Sequence, residues 1–250
     1  MKNAIKNLVL EFLFAAYRIL DPWVRFRDTV IITYHSISDS NVSTALPPPV
    51  FRTHLQELRS SGYTFLSLDQ VMEVLEGKVS YRHAVAITFD DGYEDFKTNA
   101  LPILESFGAP ATIFVTGPDA SPAALGNDIS LMDDAMLAQV RSHPLVTVGY
   151  HSRTHADLRT LNCEDARKEM VPPFETNYFA YPGGNYTDES IGLARELGYK
   201  AAFSIKPRRI RVGVDRYLLP RHVITRTMSM RDIRMRASRV ADWYRTLSRL

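Results

Sequence analysis

Cysteine is almost absent: Cys163 stands alone among 250 residues. One thiol cannot close an internal bridge, so a disulfide scaffold and a four-cysteine zinc site are both excluded. No apolar run reaches the ~20 residues that span a bilayer. No Gly/Ser-rich linker divides the chain and no short repeat recurs, which leaves one large domain or two small ones. Helix-turn-helix, RNP and zinc-finger patterns are missing, and no nucleic-acid partner is expected. What remains is ordinary globular composition, 45% hydrophobic and 23% charged. A chain of this size buries on the order of 70% of its unfolded surface without cross-links.

The net charge of +2 conceals an asymmetry. Residues 200–250 carry 14 Lys or Arg against 3 acidic residues, a net +11, whereas residues 1–199 are net −9. A basic end suits an anionic neighbour such as lipid headgroups, a phosphorylated glycan carrier or nucleic acid, or else forms a solvated arginine-rich helix face. Residues 8–20 are mostly apolar and follow Lys2 and Lys6, but Glu11 and Arg18 interrupt them and no signal-type cleavage site follows. Three readings stay open: a helix packed on the domain, a peripheral membrane helix, or an uncleaved signal-like segment. The expected location is cytoplasmic or peripheral to the inner membrane. An extracytoplasmic location, reached through an uncleaved N-terminal segment, is the other outcome.

Along the chain, short apolar segments alternate with amphipathic ones. Strands are expected at Thr29–Tyr34, Ala84–Phe89, Ala111–Val115, Leu145–Gly149, Tyr178–Tyr181, Lys200–Ile205 and Tyr217–Ile224, with a minor one at Thr64–Leu66. Helices lie between them. Phe51–Ser60 repeats Phe51, Leu55 and Leu58. Ser67 caps Leu68–Glu76, with Gln70 completing a capping box. Leu101–Phe107 stops at Gly108. Met132–Arg141 and Asp188–Leu197 follow, and Ser229–Leu250 makes a final helix. The loop around Ala45-Leu46-Pro47-Pro48-Pro49 and residues 116–130 read as breaks.

Strands buried on both faces, alternating with helices, argue for a parallel α/β sheet. Seven or eight such units fit a distorted (β/α) barrel over 28–225. An apolar N-terminal helix falls within 1–27 and a basic C-terminal helix within 226–250. Barrel chemistry sits on the loops that leave the C-terminal ends of strands.

Two motifs occupy that position. The strand Ala84–Phe89 runs into Asp90-Asp91-Gly92. Adjacent carboxylates repel unless a cation or a shared proton relieves them, although Asp and Gly also make plain turns. The strand near 145–149 leads into His151-Ser152-Arg153-Thr154-His155, whose imidazoles, four apart, can reach one metal ion. The metalloprotease pattern is not met, because Ser152 stands where its glutamate would be. Two imidazoles and a carboxylate leave open positions for water and substrate, as in hydrolytic zinc sites and non-haem iron sites. The α/β rhythm argues against the jelly roll of the iron oxygenases. A second carboxylate beside the first can serve as a base.

Thr88-Phe89-Asp90-Asp91-Gly92, then His151 to His155, then Ala180-Tyr181-Pro182-Gly183-Gly184 resemble, in order, the motifs of polysaccharide deacetylases, the NodB-homology group or carbohydrate esterase family 4. The likeness spans about residues 28–225. Tyr34-His35-Ser36 is similar to a segment of the branch that deacetylates poly-N-acetylglucosamine-like polymers. The resemblance implies a NodB-like barrel. It also implies a hydrolase that removes N-acetyl or N-formyl groups from amino sugars of a polysaccharide, an oligosaccharide or a lipid-linked glycan. It implies one divalent metal on Asp91, His151 and His155, zinc foremost, with cobalt or nickel as alternatives. Asp90 would be the base acting on the metal's water. Gly183 would offer its N–H to the oxyanion, with Tyr181 and Tyr34 beside the substrate.

Two positions depart from the family pattern. Ala180 stands where many relatives carry arginine. Where many have Leu-x-His, this chain has Leu219-Pro220-Arg221, with His222 one residue later. Neighbours on a strand face opposite ways, so only one of Arg221 and His222 faces the cleft. We expect Arg221 to supply the missing charge and pair with Asp90. His222, if the strand bulges, or His35 is then the acid that protonates the leaving amine. Tyr93, Tyr150, Tyr181 and Tyr186 are candidates for stacking on sugar rings, and Asp157 for orienting a ligand imidazole. His54, His83 and His143 read as structural. The alternative function is a non-catalytic glycan-binding or polysaccharide-assembly protein on the same fold.

Overall fold

The computed structural model describes residues 8–9, 11–17, 19–20, 28–238, 240 and 243, so the rest of the expected 229–250 helix lies outside the described residues. Its centre is one sheet of eight strands: β1 (Asp28–Tyr34), β2 (Thr64–Leu66), β3 (His83–Phe89), β4 (Ala111–Val115), β5 (Val146–Tyr150), β6 (Tyr178–Ala180), β7 (Ala201–Phe203) and β8 (His222–Val223). The order is β7-β6-β5-β4-β3-β1-β8, with β2 beside β3. The ladders between these strands are all parallel. β3 forks: its first half pairs with β2 through Ala84–Ala86, and its second half with β4 through Ile87–Phe89.

The helices are α1 (helical over 8–9, 11–17 and 19–20), α2 (Pro48–Ser60), α3 (Leu68–Leu75), α4 (Leu101–Phe107), α5 (Asp134–Arg141), α6 (Cys163–Met170), α7 (Asp188–Glu196) and α8 (Met230–Ala237). Residue alternation sorts the layers. Val30, Ile32 and Tyr34 of β1, with Val85, Ile87 and Phe89 of β3, pack outward against Phe51, Leu55 and Leu58 of α2. Ile31, Ala84, Ala86, Phe114, Ala180 and Phe203 fill the inside, beneath α3. The expected α/β barrel is what forms.

Three local differences have physical causes. Helix α2 begins earlier than expected because Pro48 and Pro49 sit in its first turn, where a missing N–H leaves no bond unmade; the prolines start a helix rather than break the chain. Helix α6, capped by Asn162, was not expected; its buried side chains are only Ala166, Glu169 and Met170, too few apolar positions to mark a period. The expected strand Tyr217–Ile224 is split at Pro220, which has no N–H to give a ladder. Before it, Leu219 bridges Phe203 of β7. After it, His222–Val223 pairs with Ile32–Thr33 of β1. This segment therefore joins the two ends of the curled sheet and brings Arg221 to the strands' C-terminal rim.

Candidate active site

Asp90 and Arg221 form the base of the site. Arg221 is fully buried and Asp90 is 3% exposed. The guanidinium donates from Nη1 and Nη2 to the two carboxylate oxygens, at 2.6 and 2.8 Å. It is held in turn by Thr33 Oγ1 at 3.0 Å and the Ser204 carbonyl at 3.2 Å, and it lies 5.2 Å from the Phe114 ring centroid. This fork-on-fork geometry is the strong form of the interaction. Burial raises the Asp90 carboxyl. Arg221, followed by His151 and His35, outweighs that and holds the group well below the usual carboxylate range.

Asp91, His151 and His155 converge beside this pair. Their nearest ligand atoms lie within 4.8 Å of one another. Nε2 of each imidazole is 3.6 Å from Asp91 Oδ1, close to the ~3.4 Å between tetrahedral ligand atoms on bonds of about 2.1 Å. His151 donates Nδ1–H to the Ala180 carbonyl at 2.8 Å, so its Nε2 lone pair faces Asp91. Burial pushes this imidazole down to about 4. Asp91 Oδ1 is buried with no hydrogen-bond partner, an expensive arrangement for a carboxylate unless something cationic meets it. Two imidazoles around an unpartnered carboxylate oxygen fit a divalent ion.

The backbone here is held away from its easy conformations. Asp91 (φ 75°), Ser152 (φ 68°) and His155 (φ 64°) are the non-glycine residues at positive φ among those described. Such strain persists only where surrounding contacts enforce it. The Asp91 carbonyl accepts from Thr116 Oγ1 at 3.0 Å, and Ser152 Oγ accepts from the His155 N–H at 3.0 Å. Gly92, at φ 87°, leaves room for Val115: an added Cβ would meet it at 3.2 Å.

Two carboxylates that sequence reasoning missed anchor these loops. Glu169 of α6 accepts from the Thr154 N–H at 2.9 Å and Thr154 Oγ1 at 2.7 Å, tying down the loop between the two histidines. Asp95 accepts from Ser36 Oγ at 2.5 Å and the Ile37 N–H at 2.9 Å, holding the loop that carries His35. Neither lies in a recognisable motif. Asp95 lies four residues beyond Asp91, which is the only local hint.

Other predicted residues lie as follows. His35, half-buried just past β1, lowers the Asp90 carboxyl electrostatically, and its Nδ1 is buried without a partner. His222 is not brought to the Asp91–His151–His155 cluster. It stands in register with Ile32, whose side chain packs outward, and its Nε2 sits 3.2 Å from the Arg208 carbonyl. Tyr34 is not brought there either. It packs between Phe51 and Phe89, with its hydroxyl on His54. Gly183 (φ 58°) stands exposed in the turn after β6, three residues beyond the Ala180 carbonyl that holds His151. The buried Tyr181 ring directs its hydroxyl to the Tyr217 carbonyl at 3.1 Å. Tyr93 bonds Asn127. Tyr150 is buried against Phe174, while Tyr186 stacks with Lys206. Asp157 pairs with Arg159 and Asn185 rather than with a ligand imidazole.

A cleft of about 550 Å³ opens beside Asp91, walled by Val115, Leu131, Leu137, Arg141 and Phe174. That volume is in the range of sites that hold small organic ligands.

Comparison with known proteins agrees with this picture. The polysaccharide deacetylase family model matches residues 78–202, half of the chain, and takes in both the Asp and the His motifs. YxkH of Bacillus subtilis (strain 168), whose name assigns it provisionally to the polysaccharide deacetylases, is 29% identical over 209 residues, covering 80% of this chain and 72% of that protein. The poly-beta-1,6-N-acetyl-D-glucosamine N-deacetylase of Staphylococcus epidermidis is 23% identical over 195 residues, 70% of this chain and 66% of that one. The deacetylase PplD of Streptococcus pyogenes, solved in complex with acetate, shares the fold with a TM-score of 0.72 at 24% identity, over 84% of this chain and 98% of that one. On the family match, with the fold behind it, the chain belongs to the polysaccharide deacetylases, hydrolases of amide bonds.

Proposed function

We propose that the chain removes N-acetyl groups from the amino sugars of a poly-N-acetylglucosamine-type glycan, with one divalent metal ion held by Asp91, His151 and His155. The observation that carries the reading is the unpartnered Asp91 oxygen between two imidazoles, with the Asp90–Arg221 pair directly behind it. The relative from Staphylococcus epidermidis supports the glycan class. When bound, such an ion, zinc foremost, supplies a Lewis acid that polarises the acyl carbonyl and acidifies water.

The protein's own groups do the rest. Asp90, kept ionised by Arg221, accepts the proton of the attacking water. The guanidinium that fixes this carboxylate also weakens it as a base, so the proton it takes is handed on and ends on the amine nitrogen released when the C–N bond breaks. Gly183, exposed in its turn, offers its N–H to the oxygen that gains charge. His35 delivers a proton to the departing amine, because an amide anion is a very poor leaving group. His222, on the adjacent strand β8, is turned toward the Arg208 carbonyl, and His151 is taken up with the Asp91 cluster, which leaves His35 for this role.

The test is mass spectrometry of N-acetylglucosamine oligomers incubated with the enzyme, with Asp91→Asn alongside. Loss of one or more acetyl groups with the parent protein, and none with the variant, is expected. Binding of the oligomers with no mass change under any metal would mean a glycan-binding protein instead.

A further inference from the structure

One helix of this protein is apolar on two sides. Leu13, Phe14 and Tyr17 of α1 pack on Val240, Met235 and Trp243, and Tyr17 reaches His83 at the start of β3. The opposite side carries Leu8, Phe12 and Ile19, which are 71%, 74% and 68% exposed. Offsets of four and seven residues put all three on one stripe. A contiguous exposed apolar stripe marks an interaction surface rather than ordinary solvent contact. No described helix is long and apolar enough to cross a membrane.

Charge identifies what the stripe meets. Helix α8 lies alongside α1, joined to it by the Arg231–Glu11 ion pair. Residues 226–250 hold seven Arg against two Asp, a net +5, and residues 1–27 are net +3, so residues 28–225 are left at −6. Along the sequence the positive charge is thus concentrated in the two terminal segments, the ones that contribute α1 and α8. An exposed apolar stripe carried by a chain segment of net positive charge is complementary to an anionic bilayer surface. A second copy of the chain would instead set +8 against +8.

We propose that α1, with α8 beside it, docks the protein onto an anionic membrane surface as an interfacial helix. Glu11 lies by Arg231 at the start of α8, a helix entered from the rim where the Arg226 N–H bonds the Ser43 carbonyl. Tyr17 lies by His83, at the end of β3 remote from Asp90. Helix α1 therefore runs lengthwise along the barrel, the bilayer lies along its flank, and the cleft opens parallel to the surface.

Co-sedimentation of the full chain with vesicles tests this without reference to deacetylation. Vesicles of phosphatidylcholine with about one-third phosphatidylglycerol are compared with phosphatidylcholine alone, at low and high salt. Binding to the anionic vesicles that weakens with salt is expected, with little binding to the neutral ones. The double variant Phe12→Glu/Ile19→Glu should bind at least about tenfold more weakly, and Phe12→Ala/Ile19→Ala should shift the same way without adding charge. Both keep the parent's thermal melt, because the side chains are exposed. Failure to bind anionic vesicles, binding that neither variant alters, or a dimer in light scattering that Phe12→Glu/Ile19→Glu dissociates would each overturn the proposal.

Discussion

Replacing Arg221 by alanine tests the electrostatic base of the site. The change strands the Asp90 carboxylate, 3% exposed, without the two bonds at 2.6 and 2.8 Å that neutralise it. It also leaves Thr33 and the Ser204 carbonyl without their donor. Breaking a buried pair by removing one member costs about 3–5 kcal/mol. For a chain of this size each kcal/mol moves the melting midpoint by roughly 2–4 °C, so Arg221→Ala should melt roughly 6–20 °C below the parent. The loss comes from the charge left behind rather than from lost packing. Asp90→Asn/Arg221→Met, which removes both charges at similar volume, should therefore recover most of it. Scanning calorimetry of metal-stripped samples reads both variants. A double variant no more stable than Arg221→Ala would refute the argument. In the acetate-release assay, Arg221→Ala should lose on the order of 100-fold in kcat. An unchanged kcat there, together with abolition by His222→Ala, would show that His222 and not Arg221 serves the reaction.

Three further outcomes follow from other parts of the molecule. Exhaustive chelation should abolish acetate release, and returning zinc should raise the melting midpoint by an amount equivalent to about 4 kcal/mol at a thousandfold excess over Kd; full activity after stripping would remove the metal from the reaction. Glu169→Ala frees the Thr154 N–H and hydroxyl, loosening the loop that presents His155, and should weaken zinc affinity about 10–100-fold with the fold intact, measured by competition with a colorimetric chelator. His54 is pushed down from 6.5 to about 4 by burial. The folded state thus disfavours its protonated form: stability is unaffected above pH 6.5 and falls as pH drops from 6.5 to about 4, by on the order of 3 kcal/mol. Urea midpoints of His54→Gln should lack that part of the acid slope.

The barrel and the positions of Asp91, His151 and His155 could be read from sequence because both rest on local signals. Apolar runs such as Ala84–Phe89 and Ala111–Val115 are buried from end to end, so continuous hydrophobicity marks them. Asp91 and the two histidines stand directly after such runs, where a parallel barrel gathers its loops. The supports were hidden because they act across long sequence distances through ordinary polar residues. Glu169 looks like any solvated residue of a charged helix until α6 folds it against Thr154, and Asp95 acquires its partners only when β1 and β3 pair. The corner at Pro220 was equally silent: a continuous strand was expected, and only closure of β7 and β8 around it shows how Arg221 reaches Asp90.

Asp-Asp-Gly could have been a plain surface turn, and burial is what separates the two readings. The carboxylates of a turn are solvated and cap nearby N–H groups. Here Asp90 and Asp91 are 3% and 6% exposed, and their side chains meet a guanidinium and two imidazoles instead of water. Asp91 also holds a left-handed backbone at φ 75°, a conformation that glycine would adopt at no steric cost. A fold that needed only a turn would gain stability from glycine there. A strained, buried acid with one unpartnered oxygen lowers stability, a cost that a cation between Asp91 and the two histidines would offset.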